Sequence, residues 1–200
     1  MPVANFDLEY TYNCPENYGN FGGYCRANKD NLYDLCADFK LLEIVNPQPN
    51  QTILIVGAGF GWIAEKWLAQ GLGPICAVDT SAWIQSEKQA HAVIPIHNYD
   101  VTNVLRQLEI KQLLGLQPEQ KIDICITEDC LPGMTDQECV DVSGSLNQIG
   151  NRVVHYITPP AKDPNYDANI VPRNKKTAQS WKFLLPNDSI LMRLIGDYLP

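Results

Sequence analysis

Apolar residues recur along this chain in two rhythms, and the changes of rhythm mark its elements. From Asn28 to Val45, the residues Leu32, Leu35, Cys36, Phe39, Leu42 and Val45 share one face at helical spacing, and Asn46-Pro47 stops that helix. Gln51 to Val56 predicts a short buried strand. Gly61 to Gln70 puts Ile63, Ala64, Trp67 and Leu68 on one side of a second helix, closed by Gly71 and Gly73. Ile75 to Val78 predicts a second strand and Ala92 to His97 a third, where Pro95 suits an edge or a strand start. Helix returns from Thr102 to about Leu114, and Ile122 to Thr127 predicts a fourth strand.

In Thr135-Asp136-Gln137-Glu138, a hydroxyl and a carboxylate can satisfy each other's backbone N–H groups, so a helix is expected from Asp136 to Ile149. Its core-facing residues are Cys139, Val142, Leu146 and Ile149, and Arg152 to Ile157 follows as a fifth strand. Strands separated by helices of this length pair in parallel through crossovers, which predicts an α/β protein with a mostly parallel sheet and helices on both faces. Past Thr158 the pattern gives way to a Pro-rich connection, Pro159 to Lys176. A short helix at Ala178 to Leu185 and a last apolar run at Ile190 to Ile195 are expected after it.

Composition agrees with a single globular domain: 200 residues, 45% hydrophobic and 19% charged. The longest uninterrupted apolar run, Ile53 to Phe60, is eight residues, far short of the roughly 20 that cross a bilayer. The first basic residue is Arg26, and Asp7, Glu9 and Glu16 stand where a secretory leader would be cationic, so a cytoplasmic protein is expected. A net charge of −8 gives no overall attraction to nucleic acid or anionic lipid, so neither a membrane nor nucleic acid is an expected partner. Five of the 15 basic residues, Lys162, Arg173, Lys175, Lys176 and Lys182, fall in one 21-residue stretch, commonly the mark of a solvated surface. The seven cysteines include no C-x-x-C pair, so reduced, mostly buried thiols and no metal site are expected.

The sharpest local signal is Ile53-Leu-Ile-Val-Gly57-Ala-Gly59-Phe-Gly61-Trp-Ile, a strand running through glycines into a helix. So tight a turn needs residues without a Cβ, for positive φ and for a ligand to approach the backbone. Twenty-two residues after Gly57, Asp79 ends the second strand, where a parallel sheet places its carboxylate beside the glycines to accept hydrogen bonds from ribose hydroxyls. A nucleoside ligand is implied. The dinucleotide fingerprint G-x-G-x-x-G needs a small residue at position 62, and Trp62 occupies it, which disfavours NAD.

The spacing present, G-x-G-x-G at Gly57, Gly59 and Gly61, resembles motif I of the class I S-adenosylmethionine-dependent methyltransferases, whose fold is Rossmann-like. The resemblance continues in register over roughly residues 28 to 158. It implies S-adenosylmethionine as cofactor, with Gly57, Ala58, Gly59 and Gly61 forming its loop. Asp79 in Ala77-Val-Asp-Thr-Ser81 looks like the ribose-binding acid, with Thr80 beside it. Asp100 in Asn98-Tyr-Asp-Val101 looks like the acid that, with the next backbone N–H at Val101, holds the adenine. The segment Ile122 to Glu138 resembles the fourth strand and its loop, placing Glu128 at the methionine end of the cofactor. Pro132-Gly133 stands where many relatives carry a Glu-His pair, and the tail after the fifth strand is short, so a sheet shortened at its C-terminal edge is expected.

The acceptor is the least determined part. Thr127-Glu-Asp-Cys-Leu131 replaces the (Asp/Asn/Ser)-Pro-Pro-aromatic motif of nucleic-acid amino methyltransferases, and Cys130 follows Asp129 rather than proline, which argues for a structural thiol. A small molecule or a protein group is therefore expected as acceptor rather than duplex DNA. Glu128, Asp129 and His155 are the candidates for catalysis, although a histidine in an apolar strand is more often a satisfied core group. Tyr18 and Tyr24, in the aromatic stretch Tyr10 to Tyr24, are candidates for a lid over cofactor and substrate, and a packed arm is the alternative. Trp83 either covers the adenine or fills a helix interface. Arg173, Lys175 and Lys176 are candidates for holding an anionic substrate group. The expected organisation is one domain over residues 1–200: an arm or lid at 1–27, a cofactor-binding core at 28–158 and an extension at 159–200. The competing reading is a catalytically inactive cofactor-binding or scaffold protein on the same fold.

Overall fold

The computed structural model of the protein describes residues 38–157, 176–192 and 198–199. Its elements run α1 (Asp38–Val45), β1 (Ile53–Val56), α2 (Trp62–Ala69), β2 (Ile75–Val78), α3 (Ala82–His91), β3 (Ile96–His97) and α4 (Val104–Leu113). They continue with β4 (Ile122–Glu128), α5 (Asp136–Ile149), β5 (Gly150–Ile157), α6 (Ala178–Leu184), β6 (Ser189–Met192) and β7 (Tyr198–Leu199). The strands form one sheet in the order β3-β2-β1-β4-β5-β6-β7. The first six lie parallel, and β7 is antiparallel to β6. In register, Ile53 pairs with Ile75 on one side and Ile124 on the other, so β1 is central.

Both faces of the sheet are covered, which is why β1 shows four buried residues in a row and no alternation. Leu54, Val56, Val78, Cys125 and Val153 point to one face, against Ile110 of α4, the apolar stripe of α5 and Trp181 of α6. Ile53, Ile55, Ala77, Ile126, Val154 and Tyr156 point to the other, against Leu41 and Val45 of α1, Ile63 and Trp67 of α2, and Ile84 of α3. At the start of α5 the anticipated reciprocal cap is present: Thr135 N–H donates to Glu138 Oε2 at 2.8 Å, and Glu138 N–H donates to Thr135 Oγ1 at 3.3 Å. All four residues expected on the buried face of that helix are buried.

Three expectations need correction. The helix α3 was not anticipated, because AWIQSEKQAH is mostly polar; among its described side chains Ile84 is the one in the apolar core. The third strand shrinks to Ile96 and His97, with Pro95 just before it, in keeping with the missing N–H of proline at a strand start. Nor is the sheet shortened at its C-terminal edge, since a crossover through α6 lays Ser189–Met192 parallel to β5, and β7 adds to β6. Residues 28–37 of the first expected helix, Tyr18, Tyr24, Arg173 and Lys175 lie outside the described residues. No described helix is long and apolar enough to cross a membrane.

Candidate functional site

The strand order reverses direction between β1 and β4, and in open α/β sheets the crevice at the carboxyl ends of such a pair is where ligands bind. The glycine turn closes this crevice from the β1 side. Gly57 has φ +71°, and a Cβ there would stand 2.7 Å from Cys130 Cβ and 3.0 Å from the Glu128 carbonyl. Glycine is thus required by the close approach of the end of β4 as well as by the backbone angle. At Gly61, with φ +75°, a Cβ would lie 2.6 Å from Ile96 Cδ1, so this residue seats α2 against the β3 side.

The amides of the turn are mostly consumed inside the protein. Gly57 and Ala58 N–H donate to the Val78 carbonyl at 3.0 and 3.1 Å, and Gly61 N–H donates to the Ala58 carbonyl at 2.7 Å. Gly59 N–H donates to Asp79 Oδ2 at 2.9 Å. The other oxygen of Asp79 accepts from Ser81 N–H at 2.8 Å, and the Asp79 carbonyl accepts from Gln85 Nε2 at 2.6 Å. A buried carboxylate thus ties the glycine turn to the turn after β2. A carboxylate is an acceptor only, so what it can offer a ligand is a hydrogen bond from a hydroxyl or an N–H. Thr80, next along, is exposed.

At the end of β3, Asp100 is exposed, and its Oδ1 accepts from Thr102 N–H at 2.9 Å and Thr102 Oγ1 at 2.7 Å, an Asx turn that leads into α4. Val101 is buried beside it. Sequence reasoning missed the aromatic stack here: His97 and Tyr99 have ring centroids 5.3 Å apart, and the Arg106 guanidinium lies 5.0 Å from the Tyr99 centroid. The Glu109 carboxylate beside Tyr99 holds that phenol above its ordinary value, while Arg106 draws Glu109 below the usual carboxylate range. The signal available in sequence was His97-x-Tyr99, since alternate residues of an extended segment share a side.

At the end of β4, Glu128 and Asp129 are half-buried beside Gly57. Asp129 adopts φ +50°, and its N–H donates to the Tyr156 carbonyl at 2.8 Å. Burial first, and then the charges of Asp79 and Asp129, push the Cys130 thiol up, which keeps it protonated as a structural thiol should be. Burial likewise pushes Cys76, Cys125 and Cys139 up to about 12. Leu131–Gly133 form a single 3₁₀ turn.

His155 is not among the residues brought to this crevice. Its side chain is fully buried, with Nδ1 2.9 Å from Thr127 Oγ1 and Nε2 2.7 Å from Asp188 Oδ2. That is the arrangement of a satisfied core histidine. Lys176 lies ahead of α6, with Nζ 2.9 Å from Asp136 Oδ1 in the first turn of α5 and 5.7 Å from the Trp181 ring centroid. Trp83 belongs to α3, but its side chain lies outside the described residues. Among the described residues no group of three or more His, Cys, Asp or Glu side chains could hold a metal ion.

The sheet, its covering helices and the glycine turn define a Rossmann-like α/β protein, a fold shared with a methyltransferase among solved structures. The candidate methyltransferase in the complex with the Trm112 methyltransferase activator of Haloferax volcanii matches with a TM-score of 0.56 at 10% identity, over 82% of this chain and 73% of that one. Magnesium protoporphyrin IX methyltransferase from Synechocystis PCC 6803, with bound S-adenosylhomocysteine, matches with a TM-score of 0.49 at 16% identity, over 84% of this chain and 74% of that one. A methyltransferase from Clostridium acetobutylicum ATCC 824 matches with a TM-score of 0.44 at 14% identity, over 62% of this chain and half the length of that one. Identities this low speak to the fold alone. No protein-family model matches the sequence, and no curated protein is similar to it in sequence.

Proposed function

We propose that this protein binds S-adenosylmethionine at the carboxyl ends of β1, β2, β3 and β4 and transfers its methyl group to a small molecule or a protein group. The observation that carries this reading is the hydrogen-bond state of the glycine turn. Four of its amides already donate within the protein, one of them to the Asp79 carboxylate. A ligand here meets acceptors rather than a nest of bare N–H groups. That suits the hydroxyls of a ribose and does not suit a diphosphate, which needs several unpaired amide donors.

The residues present fit the cofactor. Gly57, Ala58, Gly59 and Gly61 would shape its floor, Asp79 with Thr80 would hold the ribose, Asp100 and the Val101 N–H would meet the adenine, and Glu128 would face the methionine end. When bound, the cofactor supplies a methyl group activated on a sulfonium. The chain's own contribution is to hold donor and acceptor in line and keep water out, since such transfers gain most from proximity. Glu128 and Asp129, at the end of β4, would be the carboxylates to take an acceptor proton. Arg173, Lys175 and Lys176 would hold an anionic part of the substrate.

The test is transfer of isotope-labelled methyl from S-adenosylmethionine to pools of metabolites and proteins. Label acquired by one acceptor, and lost with Asp79→Ala, supports the reading. Cofactor binding with no transfer to any pool would favour the inactive scaffold instead. One observation favours a second reading, a dinucleotide enzyme: β6 lies parallel to β5, giving the order 3-2-1-4-5-6 of the dinucleotide-binding fold. Trp62 and the occupied amides weigh against it.

A further inference from the structure

Behind the crevice, a buried polar chain crosses three strands. Thr127, next to last in β4, is the register partner of His155 in β5, and its Oγ1 is 2.9 Å from Nδ1 of that ring. On the far side, Nε2 is 2.7 Å from Oδ2 of Asp188, the residue just ahead of β6. Ser143 and Asn147 of α5 donate to the two oxygens of the same carboxylate, Asn147 at 2.6 Å, and Lys182 Nζ donates to the Asp188 carbonyl at 2.8 Å. Thr127, His155 and Asp188 have no exposed surface. The atoms are those of a hydroxyl, imidazole and carboxylate triad, but full burial leaves no path for a substrate, so the chain has another use.

For a neutral ring, proton accounting gives its direction. Burial raises the Asp188 carboxyl, but its hydrogen bonds from His155, Ser143 and Asn147 outweigh that and hold it below the ordinary range. An ionised carboxylate only accepts, so Nε2 carries the ring proton. While the ring is neutral, Nδ1 is an acceptor and the Thr127 hydroxyl must donate to it. Two residues further on, Asp129 sits at φ +50° with its N–H on the Tyr156 carbonyl, and Cys130 packs where a Cβ on Gly57 would be.

We propose that Thr127 and His155 are positioning residues: the Oγ1–H to Nδ1 bond clamps the end of β4 to β5 and so holds the Asp129 turn and Cys130 against Gly57. Asp188 fixes the tautomer that makes this bond possible and links it to β6 and α5. The consequence for ligand affinity rests on the cofactor reading above, whereas the clamp itself does not.

The experiment measures amide hydrogen exchange, ring ¹⁵N shifts and S-adenosylhomocysteine affinity on the full chain, for the wild type, Thr127→Val, Thr127→Ser and His155→Gln. Thr127→Val should speed exchange at the Asp129 amide at least tenfold while Ile124 and Ile126 stay protected. It should also weaken S-adenosylhomocysteine binding about tenfold, and Thr127→Ser, which keeps the hydroxyl, should restore both. His155→Gln retains a donor toward Asp188 but no acceptor at the Nδ1 position, so it should show the same faster Asp129 exchange and weaker binding, and it serves as the test if Thr127→Val does not fold. The wild-type ring should show Nε2 protonated. An Nδ1-protonated ring, unchanged Asp129 exchange in a folded Thr127→Val, or uniformly faster exchange over the whole sheet would overturn the clamp. Faster Asp129 exchange in a protein that does not bind S-adenosylhomocysteine would uphold the clamp and reject the cofactor reading.

Discussion

At the scale of single residues, Asp79 and Gly57 divide the work of the crevice. Asp79 braces the glycine turn through Gly59 N–H and Ser81 N–H, and in the proposed complex its carboxylate would accept from the ribose. Asp79→Ala should weaken S-adenosylhomocysteine binding by about 1.5 to 3 kcal/mol, the usual loss for hydrogen bonds to a charged group. Calorimetry on a variant whose circular dichroism matches the wild type checks this. Unchanged affinity would put the ribose elsewhere. Gly57→Ala acts on the fold first: a left-handed angle costs a residue with a Cβ about 1 to 2 kcal/mol, and the contact with Cys130 adds overpacking. A thermal midpoint lower by several degrees is expected, together with loss of ligand binding. Both residues were legible in sequence because their chemistry is local, a glycine spacing and an acid at a strand end. The partner of His155 was not, since Asp188 lies 33 positions away and only the β5 to β6 pairing brings the two together. His97 and Tyr99 were passed over as ordinary strand and loop residues.

Among elements, those with strong periodicity or a cap were read within a residue or two. The helix α5 runs from Asp136 to Ile149 as its capping box implies, and β2 coincides with Ile75–Val78. The failures have physical causes. A mostly polar helix such as α3 offers little periodic apolar signal, and β7 is two residues long. The C-terminal elements matter beyond their length, because Asp188 joins β6, β5 and α5 through one carboxylate. Its folded carboxyl is held below the unfolded value near 4, so the stabilisation it contributes is complete above that value and is lost as pH falls through the lower folded one. Denaturant midpoints measured across that acid range should fall steeply for the wild type and less steeply for Asp188→Asn. Equal slopes would show that the carboxylate contributes nothing to acid sensitivity.

On the scale of the whole molecule, the two-faced parallel sheet places the glycine turn, Asp79 and the β4 loop along one edge, and the α/β alternation in the sequence was enough to foresee that edge. What it did not foretell is how the sheet ends, since the C-terminal stretch follows no crossover period that composition could reveal. The acidic surface also leaves the acceptor to local features, of which the Lys176 to Asp136 contact is the one described. Replacing Arg173, Lys175 and Lys176 together with Ala should lower turnover on the identified acceptor at least tenfold and leave cofactor affinity within about twofold, because none of the three belongs to the glycine turn or its acids. Kinetics at saturating cofactor decide it, and full turnover in the triple variant would make this stretch a structural tail.

The choice between the two cofactor classes rests on whether the crevice offers acceptors or bare amides. Titration calorimetry of the full chain with S-adenosylhomocysteine and with NAD compares them directly. Saturable binding of S-adenosylhomocysteine with no heat from NAD is the predicted result. Saturable NAD binding with no response to S-adenosylhomocysteine would contradict it.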